Sequence, residues 1–132
     1  AASDVYKRQL LILSMIDINI AKDLEAEAMD IGLDVLIETH NKEEMDNALT
    51  MKSELIGVNN RNLNDFTVDI DNTILLTDTS VCDKIYVSES GIKSRSDISY
   101  IVDKSPARTF LIGESLMRSE RLEEQIRTLL SF

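Results

Sequence analysis

The chain has 132 residues, 43% of them hydrophobic and 29% charged, which is an ordinary globular composition and enough for one domain with a real core. Its net charge of −10, from 24 acidic and 14 basic residues, speaks against nucleic-acid binding, which needs clustered Lys and Arg. No apolar run approaches the roughly 20 residues of a membrane span, and Cys82, the one cysteine, allows no intrachain disulfide and fits a reducing cytoplasm as an inert thiol.

The first nine residues, Ala1 to Gln9, are polar and lack the apolar stretch and cleavage site of a signal peptide, so they read as a non-native or disordered leader. The fold is expected over residues 10–132. Leu10 to Met15 predicts a strand buried on both faces. Ile20, Leu24, Ala28 and Ile31 recur at helical spacing, and Gly32 closes that helix at its C′ position. The acidic stretch from Glu25 to Asp30 reads as the helix's wet face. Val35 to Ile37 is the next strand and ends at Glu38. His40 reads as a loop residue. Lys42 to Thr50 is a short helix with Met45, Ala48 and Leu49 on one side.

Leu55 to Val58 predicts a third strand ending at Asn59, followed by a polar loop from Asn60 to Asp65. Asp71 to Thr79 suits a helix with Ile74 and Leu75 facing inward. Ile85 to Val87 is a fourth strand, ending at Ser88 and Glu89. Ser94 and Asp97 have capping-box spacing for a helix to about Val102. Pro106 and Ala107 interrupt the chain before a fifth strand, Thr109 to Ile112. A helical turn over Ser115 to Arg118 and an amphipathic helix from about Glu120 to Leu130 complete the pattern. Met15, Met29 and Met45 read as core or gap-filling residues.

Five strands alternating with helices imply an α/β fold with a parallel sheet. Gly91 and Gly113, 22 residues apart, each follow a β-prone run and precede a helix-like stretch. Paired turns of this kind suit phosphate binding in the last two units of a (β/α)8 barrel. At 132 residues the chain holds only part of such a barrel, whose full length is about 250 residues. Residues just past each strand converge on one rim: Asp17, Glu38, Asn59 with Arg61, Glu89 with Ser90, and Gly113 with Glu114. Carboxylates, an amide and a guanidinium in one ring suit acid–base chemistry on an anionic substrate. Arg61 fits either a substrate contact or an ion pair with Glu38 or Glu89. Ser90 is no nucleophile, since no histidine stands beside it as a base.

Four blocks carry a resemblance. Val35-Leu36-Ile37-Glu38-Thr39-His40, Ile56-Gly57-Val58-Asn59-Asn60-Arg61-Asn62-Leu63, Val87-Ser88-Glu89-Ser90-Gly91-Ile92 and Phe110-Leu111-Ile112-Gly113-Glu114-Ser115-Leu116-Met117-Arg118 resemble successive blocks of the indole-3-glycerol-phosphate synthase family, in order and spacing. The similarity runs from Leu10 to Phe132 and corresponds to the fourth through eighth strands of that family's TIM barrel. It implies a cytoplasmic carboxy-lyase of tryptophan biosynthesis without metal or cofactor. The reaction implied converts 1-(2-carboxyphenylamino)-1-deoxyribulose 5-phosphate into indole-3-glycerol phosphate, with loss of CO₂ and water. Glu38, Asn59 and Glu89 match catalytic positions, Arg61 and Ser90 substrate-binding ones, and Gly91, Gly113 and Glu114 the phosphate-binding turns, with Glu114 acting through its backbone N–H.

The family's two lysines and a glutamate on earlier strands lie upstream of the residues matched here, so the chain alone is expected to be inactive. Met51 to Glu54 and Lys104 to Pro106 depart from the family pattern on the far rim, where they bear on stability. Two other readings are another phosphate-binding barrel, such as phosphoribosylanthranilate isomerase, and a non-catalytic half-barrel that self-associates through its open edge.

Overall fold

The structure, a computed structural model, describes residues 8–78 and 83–112. Five strands, β1 (Arg8–Ile12), β2 (Asp34–Thr39), β3 (Leu55–Asn59), β4 (Ile85–Glu89) and β5 (Thr109–Leu111), lie in sequence order in one sheet. Every neighbouring pair is parallel. The connections carry α1 (Ile18–Asp30), α2 (Lys42–Leu49), α3 (Asp71–Leu76) and α4 (Arg95–Lys104). This is the architecture of part of a (β/α)8 barrel, with the strand C-termini along one rim.

The period of two in the strands separates two faces. Val35, Ile37, Ile56, Val58 and Tyr86 point to the helix layer and form a core with Ala21, Ala28, Met45, Ala48, Ile98 and Ile101. The other face is built in rows set by strand register. Leu10, Leu36, Leu55 and Ile85 align in one row, and Ile12, Glu38, Gly57, Val87 and Thr109 in the next. Asn59, Glu89 and Leu111 align at the rim. Leu10, Ile85 and Leu111 are exposed on this face.

Several elements differ from their sequence reading. β1 begins at Arg8, two residues earlier than expected, so Arg8 and Gln9 pair with Asp34 and Val35 in the sheet. It ends at Ile12, where Met15 N–H bonds back to Ile12 O in a turn that leaves Met15 75% exposed, outside the core. In α1 the buried face is Ala21, Glu25 and Ala28, while Ile20, Leu24 and Ile31 are exposed. Small alanines let the helix lie close to the sheet, and they carry the packing that the larger residues were expected to carry. In α3 the buried residues are Thr73 and Leu76, and Leu75 points outward, 77% exposed.

Glu25 is the sharpest departure. It is 2% exposed, not on a wet face. Its carboxylate accepts from Lys52 N–H at 3.0 Å and Ser53 N–H at 2.8 Å. Those N–H groups belong to the loop before β3, which no strand ladder satisfies there, so a buried carboxylate from α1 takes them. Lys84 Nζ holds the same loop from the other side, donating to the carbonyls of Met51 at 3.2 Å and Ser53 at 2.8 Å. The Ser53 hydroxyl donates to Val35 O. Residues 51–54 are thus pinned to α1, β2 and the approach to β4.

The caps follow local sequence. Asp17 is the N-cap of α1 and accepts from Asn19 N–H, so this exposed carboxylate closes a helix and is no part of the acidic cluster on the rim. Gly32 takes the left-handed conformation that ends α1 (φ 83°). Among the described residues no helix is long and apolar enough to cross a membrane. The turn and helix expected beyond Ile112 lie outside the described residues.

Candidate active site

Glu38 ends the inward-facing row of β2, and Glu89 ends that of β4, with β3 between them. Both are buried. Glu38 pairs in register with Gly57, and Asn59 with Glu89, so Glu89 sits diagonally across Gly57 from Glu38. Glycine has no side chain, and the Glu89 carboxyl lies over it, occupying the place a Cβ would take. The two acids therefore meet across an intervening strand. Burial, then the negative charge of Glu38, then a hydrogen bond to Glu38 push the Glu89 carboxyl up to about 8. Its Oε2 is buried and receives no hydrogen bond among the described residues. Neighbouring carboxylates cannot both ionise freely, so the charge of Glu38 favours the protonated form of Glu89.

Behind Glu38 stands His40, in the loop between β2 and α2 as expected, with its side chain turned inward and only 7% exposed. Its Nε2 is 3.3 Å from Glu38 Oε2, and its Nδ1 is 3.1 Å from Glu44 Oε1. The local cause is the cap of α2. Asn41 Oδ1 accepts Glu44 N–H at 2.9 Å, and Glu44 Oε2 accepts Asn41 Nδ2–H at 2.9 Å. This is a reciprocal cap with capping-box spacing. It turns the other oxygen of Glu44 onto the His40 backbone N–H (2.9 Å) and ring. A chain Glu44–His40–Glu38–Glu89 results. The Asn-x-x-Glu spacing was the available signal for it.

Asn59 and Ser90 lock together. Asn59 Oδ1 accepts from Arg61 N–H at 3.0 Å and from the Ser90 hydroxyl at 2.8 Å. Ser90 sits at φ 69°, a region L-residues visit rarely and at some cost, which functional sites often hold. Arg61 Nη1 donates to Phe66 O at 3.4 Å, folding the side chain along its own loop. Gly91 follows at φ 81°, and a Cβ there would overlap Val68 Cγ1. The loop after β3 thus closes down directly on the turn after β4.

Asn60 holds that loop. It is 3% exposed. Its Nδ2 donates to the Ser88 hydroxyl and Ser90 O, each at 3.0 Å. Its Oδ1 accepts from Thr73 N–H at 3.1 Å and from the Thr73 hydroxyl at 2.8 Å. Asn72 Nδ2 adds bonds to His40 O and Asn59 O. Sequence reasoning singled out Asn59 and passed over its neighbour, because the pair Asn-Asn gives no hint which amide turns inward.

Glu38, Asn59, Glu89 and Ser90 are thus brought together, with Arg61 and Gly91 at the edge of the group. Gly113, Glu114 and Cys82 lie outside the described residues. α4 is capped from within its own segment: Ser94 Oγ accepts Asp97 N–H at 3.3 Å, and the Asp97 carboxylate accepts Lys93 N–H at 2.9 Å. Among the described residues no group of three or more His, Cys, Asp or Glu could hold a metal ion.

A parallel sheet of part of an α/β barrel with an acidic pair at its C-terminal rim defines the class: a barrel domain of the (β/α)8 kind with its polar cluster at the strand C-termini. A family model described as indole-3-glycerol phosphate synthase matches residues 6–129. The chain belongs to the indole-3-glycerol phosphate synthase family. It is 44% identical over 117 residues to the indole-3-glycerol phosphate synthase of Burkholderia cenocepacia, covering 89% of this chain and 44% of that protein. It is 46% identical over 110 residues to that of Polynucleobacter necessarius, covering 83% of this chain and 41% of the relative. The chain therefore spans less than half the length of these relatives.

Proposed function

We propose that this chain carries the acid–base and phosphate-facing part of an indole-3-glycerol phosphate synthase site, acting in the cytoplasm. The reaction is closure of 1-(2-carboxyphenylamino)-1-deoxyribulose 5-phosphate to indole-3-glycerol phosphate, releasing CO₂ and water. The observation that carries this reading is the Glu38–Glu89 pair. Glu89, held protonated at neutral pH by burial and by the charge of Glu38, is a general acid for the departing hydroxyl. Glu38, negatively charged and braced by His40, stabilises the cationic character that develops on the ring-closing substrate. Asn59 has its Oδ1 occupied by Arg61 and Ser90, which presents its amide N–H to a substrate hydroxyl. Arg61 and Ser90 line the same wall. Gly91, with Gly113 and the Glu114 N–H, forms the phosphate end.

The lysines that the resemblance places on the family's earlier strands would come from the first three βα units of a relative. The chain by itself then gives no turnover. Mixed with the first three βα units of a relative, it is expected to form indole-3-glycerol phosphate, read by fluorescence of the indole product. Glu38→Gln and Glu89→Gln should each lower kcat in that mixture by about 100-fold. An assembled mixture without product, or variants as active as the parent, would overturn the reading. Isomerisation of phosphoribosylanthranilate by the same mixture would favour the rival barrel. Exposed Leu10, Ile85 and Leu111 on the open face favour self-association when the partner strands are missing. Size-exclusion chromatography of the chain alone reads this, and a stable monomer counts against it.

A further inference from the structure

We propose that Gly57 is a positioning residue of this site, its missing side chain being what lets the Glu89 carboxyl lie across β3 against Glu38. The inference rests on the reading of Glu38 and Glu89 as the reacting pair. Glycine inside a strand is costly, since it has more freedom to lose and nothing to pack, so its presence calls for a reason. The backbone supplies none. Gly57 is not among the residues with positive φ, which are Gly32, Phe66, Ser90 and Gly91. It pairs regularly with Glu38 on one side and Val87 on the other.

The surroundings supply one. A Cβ built at Gly57 meets Leu36 Cδ1 at 3.5 Å, an ordinary contact that any alanine tolerates. It would overlap Glu89 Oε2 and stand 3.2 Å from Glu89 Cδ. Among the described residues, the group that a methyl would displace is the end of the Glu89 side chain. That end is flexible, so the strand need not move; the carboxyl would swing off the strand instead. A substitution at Gly57 is thus expected to spare the fold and move the acid. The geometry separates the two effects, which at most core glycines come together.

The test uses the whole 132-residue chain without substrate, so that it stands apart from any failure to reconstitute activity. Glutamate side-chain carboxyl ¹³C resonances are followed by NMR against pH in the parent and in Gly57→Ala, with Glu89 assigned through Glu89→Gln. In the parent the Glu89 midpoint is expected well above the ordinary 4.5, at about 8. In Gly57→Ala its midpoint should fall by about one unit or more, because both desolvation and the Glu38 charge weaken with distance. An unchanged midpoint in folded Gly57→Ala overturns the proposal.

Stability gives a second readout should Gly57→Ala fold poorly. Denaturant midpoints are compared for Gly57→Ala alone and in a Glu89→Ala background. A cost present with Glu89 and absent without it supports the steric role. The same cost in both backgrounds, or failure to fold in both, means that Gly57 serves the strand and not the acid, and overturns the proposal.

Discussion

His40 Nε2 stands 3.3 Å from Glu38 Oε2 while its Nδ1 stands 3.1 Å from Glu44 Oε1, so one buried imidazole separates two carboxylates. Removing the ring leaves both carboxylates without it in a site that excludes most water. His40→Ala should therefore destabilise the chain by about 1–3 kcal/mol. Urea denaturation checks this. The cost should shrink in a Glu38→Gln background, where one of the charges is gone. As the chain has a single histidine, its ring resonances need no assignment, and they should move in both Glu38→Gln and Glu44→Gln. A ring indifferent to both substitutions would contradict the contacts.

Glu89 makes stability depend on pH in an unusual direction for a carboxyl group. Its ordinary value is 4.5 and its folded value about 8, so between the two the native state holds a proton that the unfolded chain has released. Stability from this group is full below 4.5 and is lost as pH rises through 8. The slope reaches about 1.4 kcal/mol per pH unit. Denaturant midpoints measured across this window should fall with rising pH in the parent and flatten in Glu89→Gln. A flat parent profile would rule the proton out.

Asn60 joins the turn after β3, the start of α3 and the end of β4 with four hydrogen bonds from one side chain. Truncation leaves the Thr73 N–H and the Ser90 carbonyl without this partner in a buried site. Asn60→Ala should cost about 2–3 kcal/mol. Asn64, exposed on the same loop, should cost under about 0.5 kcal/mol as Asn64→Ala. Equal losses at both positions would show that Asn60 does not hold the loop.

Gly32 and Gly91 have nearly the same backbone, φ 83° and 81°, but different surroundings. A Cβ at Gly32 meets nothing within 4 Å, whereas one at Gly91 overlaps Val68 Cγ1. Gly32→Ala should cost only the left-handed conformation, about 1 kcal/mol. Gly91→Ala adds overpacking, for about 2–4 kcal/mol in all. Val68→Ala should recover the difference at position 91 and do nothing for position 32, as read by thermal or denaturant unfolding of the three single variants and the two doubles with Val68→Ala.

The strand–helix order was legible because its signals are local. Apolar runs, Gly32 at a helix end and Ser94 with Asp97 at a helix start act within a few residues. Glu38, Asn59 and Glu89 could be placed on one rim for the same reason: each follows an apolar run, and parallel strands present their C-termini together. The faces of α1 and α3 were less legible. Ile20, Leu24 and Leu75 are large and apolar, yet the sheet accepted Ala21, Ala28 and Thr73, whose size fits the gap. Glu25 looked like surface, because nothing near it in sequence announces the N–H groups of Lys52 and Ser53.

By itself, then, the sequence determined the alternating architecture, the family and which polar residues reach the rim, since each depends on patterns a few residues long. Only the tertiary structure decided that Glu89 meets Glu38, that Gly57 makes room for the meeting and that His40 backs it. Those contacts join residues on separate strands and loops, through register and a diagonal side-chain path, and neither is written in any one segment of the chain.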